Sequence, residues 1–294
     1  MKINRILFIG SLLIFLAACN NEETTEKETI DSEIIDPKSA LNTNFDGKIF
    51  SIPSPILTAM LIKNASKTFY GDLLNPHKNS DSYTTEYSRA LNLGIYGTDM
   101  GYASLYDQKA VSINYLATVE KLTNSLGLEG AFDKSFMTRY EENISNQDSM
   151  MIIVSNAFKK ADLFLKNSDR KSTSSLILTG GWIESMYFAC QLTAKNKNNE
   201  IVERIAEQKQ TLSTIIEILT EYNKKGSNDQ LIAQLEDLLI SFEAIKMNYT
   251  YAAPETNASK KTTTLKHSIS FEVSDKTLNE ITEKLTLIRT SIIS

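Results

Sequence analysis

Hydrophobic and polar positions repeat with helical spacing along most of the chain after residue 49. The clearest case lies between residues 201 and 249, where apolar side chains recur every three or four positions on both sides of a Lys-Lys-Gly-Ser-Asn turn at 224–228. They are Ile201, Ile205, Leu212, Ile215, Leu219 and Tyr222, then Leu231, Leu235, Leu238, Phe242, Ile245 and Tyr249. Two apolar stripes joined by a short turn predict an αα-hairpin. Both seams are short, which favours packing in a bundle over a free coiled coil.

Similar spacing predicts further helices on both sides of this hairpin. They cover residues 56–70 (after Pro53 and Pro55), 81–106, 110–126, 147–165, 172–194 (with Ser and Thr as candidate caps) and a last helix that Ser274 caps. Residues 251–273 break the pattern and predict a long loop with a short strand at 267–273. With only 11 glycines and 5 prolines in 294 residues, the chain has too few turn residues for a β-sandwich of this size. We therefore predict an all-α fold, a single bundle of seven to nine helices over residues 49–294.

The first nineteen residues have the organisation of a bacterial lipoprotein signal. Lys2 and Arg5 precede an apolar run at 6–18, which as a helix would rise about 20 Å and fall short of a hydrocarbon core of roughly 30 Å. A cleaved signal peptide at 1–18 fits this length better than a membrane span. Leu16-Ala17-Ala18-Cys19 resembles the lipobox. That resemblance implies a diacylglyceryl chain on the Cys19 thiol and a further acyl chain, such as palmitate, on its amino group.

The segment after Cys19 predicts a disordered tether. Residues 20–48 carry eight acidic and three basic side chains, with Phe45 as their one aromatic residue, a composition that cannot bury enough apolar area to order itself. A coil of this length reaches on the order of 30 Å. The Asn-Asn-Glu-Glu start resembles the export signals of surface lipoproteins in Bacteroidota, although plain linker acidity would also explain it. We thus assign residues 19–48 to a lipidated cysteine and tether, and expect the protein in the cell envelope, lipid-anchored at the outer membrane, on its periplasmic or its outer face.

The charge balance argues against nucleic acid as a partner. The whole chain has a net charge of −5, and loss of residues 1–18 leaves 29 basic and 36 acidic side chains, a net charge of −7. Binding to a phosphate backbone needs clustered cations. The sequence has only isolated lysine pairs, at 159–160, 224–225 and 260–261.

The sequence contains none of the common catalytic or metal-binding motifs. GxSxG, HExxH, the P-loop and GxGxxG after a strand do not occur. His77 and His267 both lie in predicted loops without a second ligand at metal spacing. Once Cys19 is acylated, Cys190 has no intramolecular disulfide partner, and its apolar helical position predicts a buried thiol. We therefore predict no enzyme activity, cofactor or metal.

Two predicted helices nevertheless carry unusual polar stripes. On a helical wheel, Gly94, Gly97, Gly101 and Leu105 gather on one side of the stretch 93–108, and Ile95, Asp99, Tyr102 and Tyr106 form the stripe beside it. Glycine inside a helix costs about 1 kcal/mol relative to alanine, so three of them suggest that another backbone or a ligand comes near. In the stretch 179–191, Gly180, Glu184, Tyr187 and Gln191 share a side next to Trp182, the only tryptophan.

These stripes leave three interpretations open. The first is tight helix packing, in which tyrosine hydroxyls satisfy a buried Asp99. The second is a small-ligand pocket between the two helices, lined by Asp99, Tyr102, Tyr106, Trp182, Glu184 and Tyr187. The third is a general acid/base pair of Asp99 and Glu184 in a hydrolase of envelope polymers.

Three segments also resemble a known group of proteins. PSPILTAMLIK, ALNLGIYGTDMGYASLYDQ and TGGWIESMYFA resemble segments of uncharacterised lipoproteins from Bacteroidota, over most of residues 49–294. That family has no assigned activity, so no catalytic residue carries over. The resemblance implies an envelope location and an all-helical domain. Our first hypothesis is a non-enzymatic interaction module, with the lipid bilayer (through acylated Cys19) and an envelope protein as its partners.

Overall fold

The computed structural model describes residues 40–45, 48–53, 62–64, 66–130 and 134–294. Within these ranges the chain forms eight α-helices, apart from the helical residues 62–64, which confirms the predicted all-α bundle. The helices are α1 (Glu86–Leu105), α2 (Lys109–Ser125), α3 (Lys134–Glu142), α4 (Gln147–Asn167), α5 (Lys171–Lys195), α6 (Asn199–Glu221), α7 (Asp229–Glu243) and α8 (Asp275–Ile293). The signal peptide and Cys19 lie outside the described residues, and no helix in the described ranges is long and apolar enough to cross a membrane.

Six short strands form three separate antiparallel pairs. They are β1 (Ala40–Phe45), β2 (Lys48–Pro53), β3 (Lys246–Thr250), β4 (Glu255–Asn257), β5 (Thr262–Thr264) and β6 (Ser268–Glu272). β1 pairs with β2, β3 with β6 and β4 with β5. β1 and the first residue of β2, Lys48, lie at the end of the segment that the sequence assigns to the tether, and β2 continues beyond it. The rest of that segment lies outside the described residues.

The αα-hairpin of α6 and α7 confirms the prediction from residues 201–249, except at its end. In the turn, Lys225 and Gly226 adopt positive φ angles of 58° and 73°. Asn228 precedes α7 without a side-chain capping hydrogen bond, and its amide Nδ2 donates to the Leu219 carbonyl. α7 ends at Glu243, so Tyr249 lies on a strand. Lys-Met-Asn-Tyr-Thr also alternates polar and apolar residues, and pairing with β6 selects this period of two.

The bounds of two predicted helices differ from the prediction. Residues 62–64 are helical, but residues 66–70 are not, because hydrogen bonds with the side chains of Tyr102 and Tyr106 hold this segment in an irregular conformation. α1 begins at Glu86, where Thr85 and Ser88 form a capping box, and residues 77–81 form a separate 3-10 turn. α5 begins without a side-chain cap.

α1 lies at the centre of the bundle. All of its residues from 90 to 103 are buried, because it packs against α5, α2, α4 and α8. A helix that is covered on every side needs few charges along its length. The one carboxylate in this buried stretch, Asp99, therefore lies in the middle of the molecule.

Residues 246–272, from β3 to β6, extend from the helices between α7 and α8. We call this segment the β-arm. Every residue of β3, β4 and β5 is exposed to solvent, and in β6 only Phe271 is partly buried. The predicted strand at 267–273 is confirmed as β6, and the rest of the predicted loop forms the arm.

Candidate functional site

Glycines bring the backbones of α1 and α5 into direct contact. A Cβ atom placed on Gly94 would lie 2.0 Å from the carbonyl oxygen of Ile177, and one on Gly180 would lie 2.0 Å from the carbonyl oxygen of Leu91. Neither position has room for a methyl group. For these two glycines the packing interpretation is confirmed, and the close approach places the polar stripes of the two helices side by side.

Glu184 of α5 forms a bidentate ion pair with Arg289 of α8. The guanidinium donates from Nε to Oε2 at 2.6 Å and from Nη2 to Oε1 at 2.7 Å. Nη2 also donates to the Leu73 carbonyl at 2.9 Å, and the guanidinium carbon lies 4.1 Å from the centre of the Tyr187 ring. Glu184 is fully buried and Arg289 is 6% exposed, so protein groups replace the water that both charges lose.

Asp99 adds a second carboxyl group to this pair. It is fully buried, and its Oδ2 accepts the backbone N–H of Asn75 at 3.2 Å. Its Oδ1 has no N–H or O–H donor. Burial, followed by the charge of Glu184, raises the pKa of Asp99 well above its usual value, Arg289 opposes this rise, and a hydrogen bond with Glu184 adds to it. A protonated Oδ1 that donates to the Glu184 carboxylate accounts for all of these observations.

One proton and one guanidinium therefore neutralise two buried carboxyl groups. A carboxylate without a partner in such a place would cost several kcal/mol. The Asp99–Glu184–Arg289 group is a closed arrangement in which each charge has a protein partner. Both carboxyl groups are 0% exposed, so neither faces a recess open to solvent.

Asn75 connects this group to the loop that precedes α1. Its backbone carbonyl accepts the Tyr115 hydroxyl at 2.8 Å, and its side-chain amide donates to the Tyr83 hydroxyl at 3.1 Å and to Asn92 at 3.3 Å. Asn92 in turn donates to the Ile292 carbonyl at 3.0 Å. The network thus joins the loop, α1, α2 and the end of α8.

Tyr102 and Tyr106 do not bond to Asp99, which corrects the expectation that phenolic hydroxyls satisfy it. The Tyr102 hydroxyl accepts the backbone N–H of Tyr70 at 3.1 Å, and the Tyr106 hydroxyl donates to the Ser66 carbonyl at 2.6 Å. Both rings pack on Phe69, with centroids at 5.4 and 5.8 Å. These tyrosines fix the segment before α1, away from the carboxyl pair.

The six residues that the sequence groups into one pocket therefore separate into three places. Asp99, Glu184 and Tyr187 meet around Arg289, whereas Tyr102 and Tyr106 hold residues 66–70. Trp182 donates its indole N–H to Gln208 of α6 at 3.2 Å, which explains the polar residue in the apolar seam of α6.

Sequence reasoning missed Arg289 and Asn75. Arg289 had a detectable signal, since it lies four residues after Leu285 and three before Ile292, inside the apolar stripe of α8. A cation at such a position needs a buried partner. Asn75 lies in a loop, and no periodic pattern marks it.

Other candidate groups have ordinary surroundings. Cys190 is buried, as predicted, and burial raises the pKa of its thiol to about 12. In the described part of the chain, no three His, Cys, Asp or Glu side chains come together as a metal site would require. A cleft of about 550 Å³ lies at the base of the β-arm, between α6 and the β3–β6 pair, and its lining mixes lysines, glutamates and apolar side chains.

No family model, curated protein or solved structure matches this chain. A proposal about its function consequently depends on its own residues and geometry.

Proposed function

We propose that this protein is a lipid-anchored, non-enzymatic interaction module of the cell envelope. The lipobox-like sequence at Cys19 supports the anchor, and the tether supports a domain held at some distance from it. One observation carries the interaction part. The β-arm presents an apolar face whose side chains, apart from the partly buried Phe271, are exposed to solvent.

The register of β3 and β6 makes this pair amphipathic. Residues directly opposite each other in an antiparallel pair lie on the same face. Met247 therefore shares a face with Phe271, and Tyr249 with Ile269, whereas Asn248 and its partner Ser270 lie on the other face. We call the first of these the apolar face of the β-arm.

The large side chains of the apolar face are strongly exposed. Met247 is 62%, Tyr249 55% and Ile269 49% exposed. Tyr251 and Leu265, in the β-arm outside the paired residues, are also strongly exposed, at 70% and 64%. Apolar surface that is grouped on one element, rather than scattered singly, is typical of an interaction site.

The burial of the two central carboxyl groups supports a structural role for both of them. Asp99 and Glu184 are fully buried, and their partners are an arginine, a backbone amide and each other. Small-ligand binding or polymer hydrolysis at this place would need a carboxyl group that a ligand or substrate can reach. The burial of both groups therefore favours the interaction module over these two hypotheses.

Fractionation of cells that express the full chain tests the anchor. We expect the wild-type protein to incorporate labelled fatty acid and to sediment with membranes, and Cys19→Ser to lose both properties. Cys190→Ser is the matched control, because its thiol is buried, and should retain the label. Fatty-acid labelling of Cys19→Ser at the wild-type level would remove the basis of the anchor.

Cross-linking in intact cells tests the interaction element. A photoreactive residue at position 249 should give adducts on irradiation, whereas one at position 240 should not. Ile240 is a suitable control because it is 66% exposed but lies on a helix outside the β-arm. Equal yields from both positions would count against the β-arm as the contact surface.

A further inference from the structure

We infer that the apolar face of the β-arm docks on the anionic surface of a lipid bilayer. This inference rests on the proposed function and names the surface that the interaction module contacts. It follows from three features of the arm: its charge, the size of its apolar face and its attachment to an anchored chain.

The β-arm is basic, whereas the protein as a whole is acidic. Residues 246–272 contain four lysines and two glutamates, a net charge of +2 against −5 for the chain. Lys246 lies 3.9 Å from Glu272, and Lys266 pairs with Glu255. The excess positive charge therefore belongs to Lys260 and Lys261, at the tip between β4 and β5.

The tip lysines are free to meet an external anion. Both are exposed, and within the described part of the chain no carboxylate forms a salt bridge with either of them. An arm with apolar side chains along one face and cations at its end suits a surface of acyl chains and phosphate groups. Tyrosine, which has an apolar ring and a polar hydroxyl, is enriched at such interfaces.

The size of the apolar face favours a bilayer over a protein. Five residues per strand give a length of about 17 Å, and two strands give a width of about 10 Å, so the face covers on the order of 200 Å². A stable protein interface buries about 800 Å² on each partner. The face is thus too small for such a complex, but a bilayer contact can be small when an acyl anchor supplies most of the membrane affinity.

The anchor also keeps the bilayer within reach of the arm. A tether that extends on the order of 30 Å holds the domain near the membrane and makes the second contact effectively intramolecular. Under these conditions a weak binding site is sufficient to keep the arm on the bilayer. The arm would then set how the helical domain is oriented on the membrane.

Vesicle binding of the unacylated mature chain, residues 19–294 with Cys19→Ser, tests the inference without help from the anchor. We would compare vesicles of phosphatidylcholine alone with vesicles that contain about 30 mol % phosphatidylglycerol, which gives an anionic surface. We expect stronger partitioning into the anionic vesicles and weaker partitioning as salt is raised. Sedimentation with the vesicles measures both effects.

Two double variants assign the binding to the arm. Lys260→Gln with Lys261→Gln should lower the partition coefficient into anionic vesicles about 30-fold, at about fivefold per lysine. Tyr249→Ser with Ile269→Ser should lower it roughly tenfold or more, because two exposed apolar side chains are lost. Circular dichroism should remain unchanged, since all four side chains are exposed.

The matched controls remove the same kinds of side chain, lysines and exposed apolar residues, from surfaces outside the β-arm. Lys159→Gln with Lys160→Gln alters an exposed lysine pair on α4, and Ile240→Ser with Leu287→Ser alters two exposed apolar side chains on α7 and α8. Both controls should bind vesicles as the unsubstituted chain does. Equal losses in the controls and the arm variants would overturn the inference.

Other occupants of the face give different results. If it binds a second copy, the chain dimerises without lipid, and Tyr249→Ser with Ile269→Ser abolishes the dimer. If it binds an envelope protein, position 249 cross-links to one discrete protein and the vesicles leave the chain in solution. Either result overturns the bilayer contact but leaves the proposed function standing. By contrast, an unlabelled wild-type chain in cells contradicts the anchor and leaves the vesicle result unaffected.

Discussion

Arg289 and Glu184 form a buried bidentate ion pair across 105 residues of sequence. The pair joins α8 to α5 at the point where α1 contributes Asp99. Arg289 neutralises Glu184 and a proton neutralises Asp99, so the charge balance of the centre depends on both Arg289 and a proton.

Loss of the guanidinium should strongly destabilise the fold. Arg289→Met leaves Glu184 buried without its partner, and we expect the free energy of unfolding to fall by about 3–5 kcal/mol. Urea unfolding measures this loss. Lys209→Met, which breaks the exposed pair with Glu243, should cost at most about 1 kcal/mol.

The double variant Arg289→Met with Glu184→Gln separates charge from packing. It removes both members of the pair, so it should be more stable than the sum of the two single losses predicts. Additive losses would show that the ion pair does not couple these positions.

Asp99→Asn should change how stability depends on pH. The folded state raises the pKa of Asp99 above its usual value of 3.8, so this group stabilises the fold at low pH, and that contribution is lost as pH rises towards the folded pKa. Asparagine carries no titrating proton, yet its amide can still donate to Glu184. The variant should therefore gain stability relative to the wild type as pH rises above about 4.

Urea midpoints measured across this range test the titration. Asp237→Asn, at an exposed carboxylate, supplies the baseline for a surface substitution. A stability difference between Asp99→Asn and the wild type that stays constant with pH would contradict a shared proton.

The glycines of α1 should differ sharply in their tolerance of alanine. Gly94→Ala places a methyl group 2.0 Å from the Ile177 carbonyl oxygen, and we expect a loss of at least about 1–3 kcal/mol from the backbone shift. Gly101→Ala is the matched control on the same helix, because a Cβ there meets no atom within 4 Å. It should be neutral or stabilise the protein by up to about 1 kcal/mol. Thermal unfolding of both variants distinguishes the two sites.

The Cys190 thiol should be unreactive in the native protein. It is 1% exposed, and burial raises its pKa to about 12, so almost no thiolate forms at neutral pH. In the Cys19→Ser chain we expect no reaction with a thiol reagent under native conditions and one equivalent in urea. Rapid native labelling would indicate that α5 opens locally.

The helical periodicity predicted most of the fold because the bundle buries one stripe of most helices. The αα-hairpin of α6 and α7 and the span of α2 follow directly from that pattern. The pattern failed where contacts with distant parts of the chain determine the backbone conformation. Residues 66–70 are not helical because the Tyr106 hydroxyl donates to the Ser66 carbonyl and the Tyr102 hydroxyl accepts the Tyr70 N–H. Residues 246–250 form a strand because β6 pairs with them.

The sequence correctly grouped Asp99 and Glu184 with Tyr187, but it also placed Tyr102, Tyr106 and Trp182 in the same site. A helical wheel shows that Asp99 and Tyr102 share a side of α1, but it cannot show which element each one meets. Tyr102 reaches the chain before α1, and Asp99 reaches α5. The third member, Arg289, lies about a hundred residues away, and a local pattern cannot connect it to Glu184.

The long sequence separation between Arg289 and its partners limits how early the centre of the protein can form. The centre needs hydrogen bonds that span 216 residues, from Arg289 to Leu73, and 210 residues, from Tyr83 to Ile293. Until α8 has emerged from the ribosome, the buried carboxyl groups of α1 and α5 lack their counter-charge, and the earlier helices cannot close around them. The charged centre can thus form only after α8 has packed on α1 and α5.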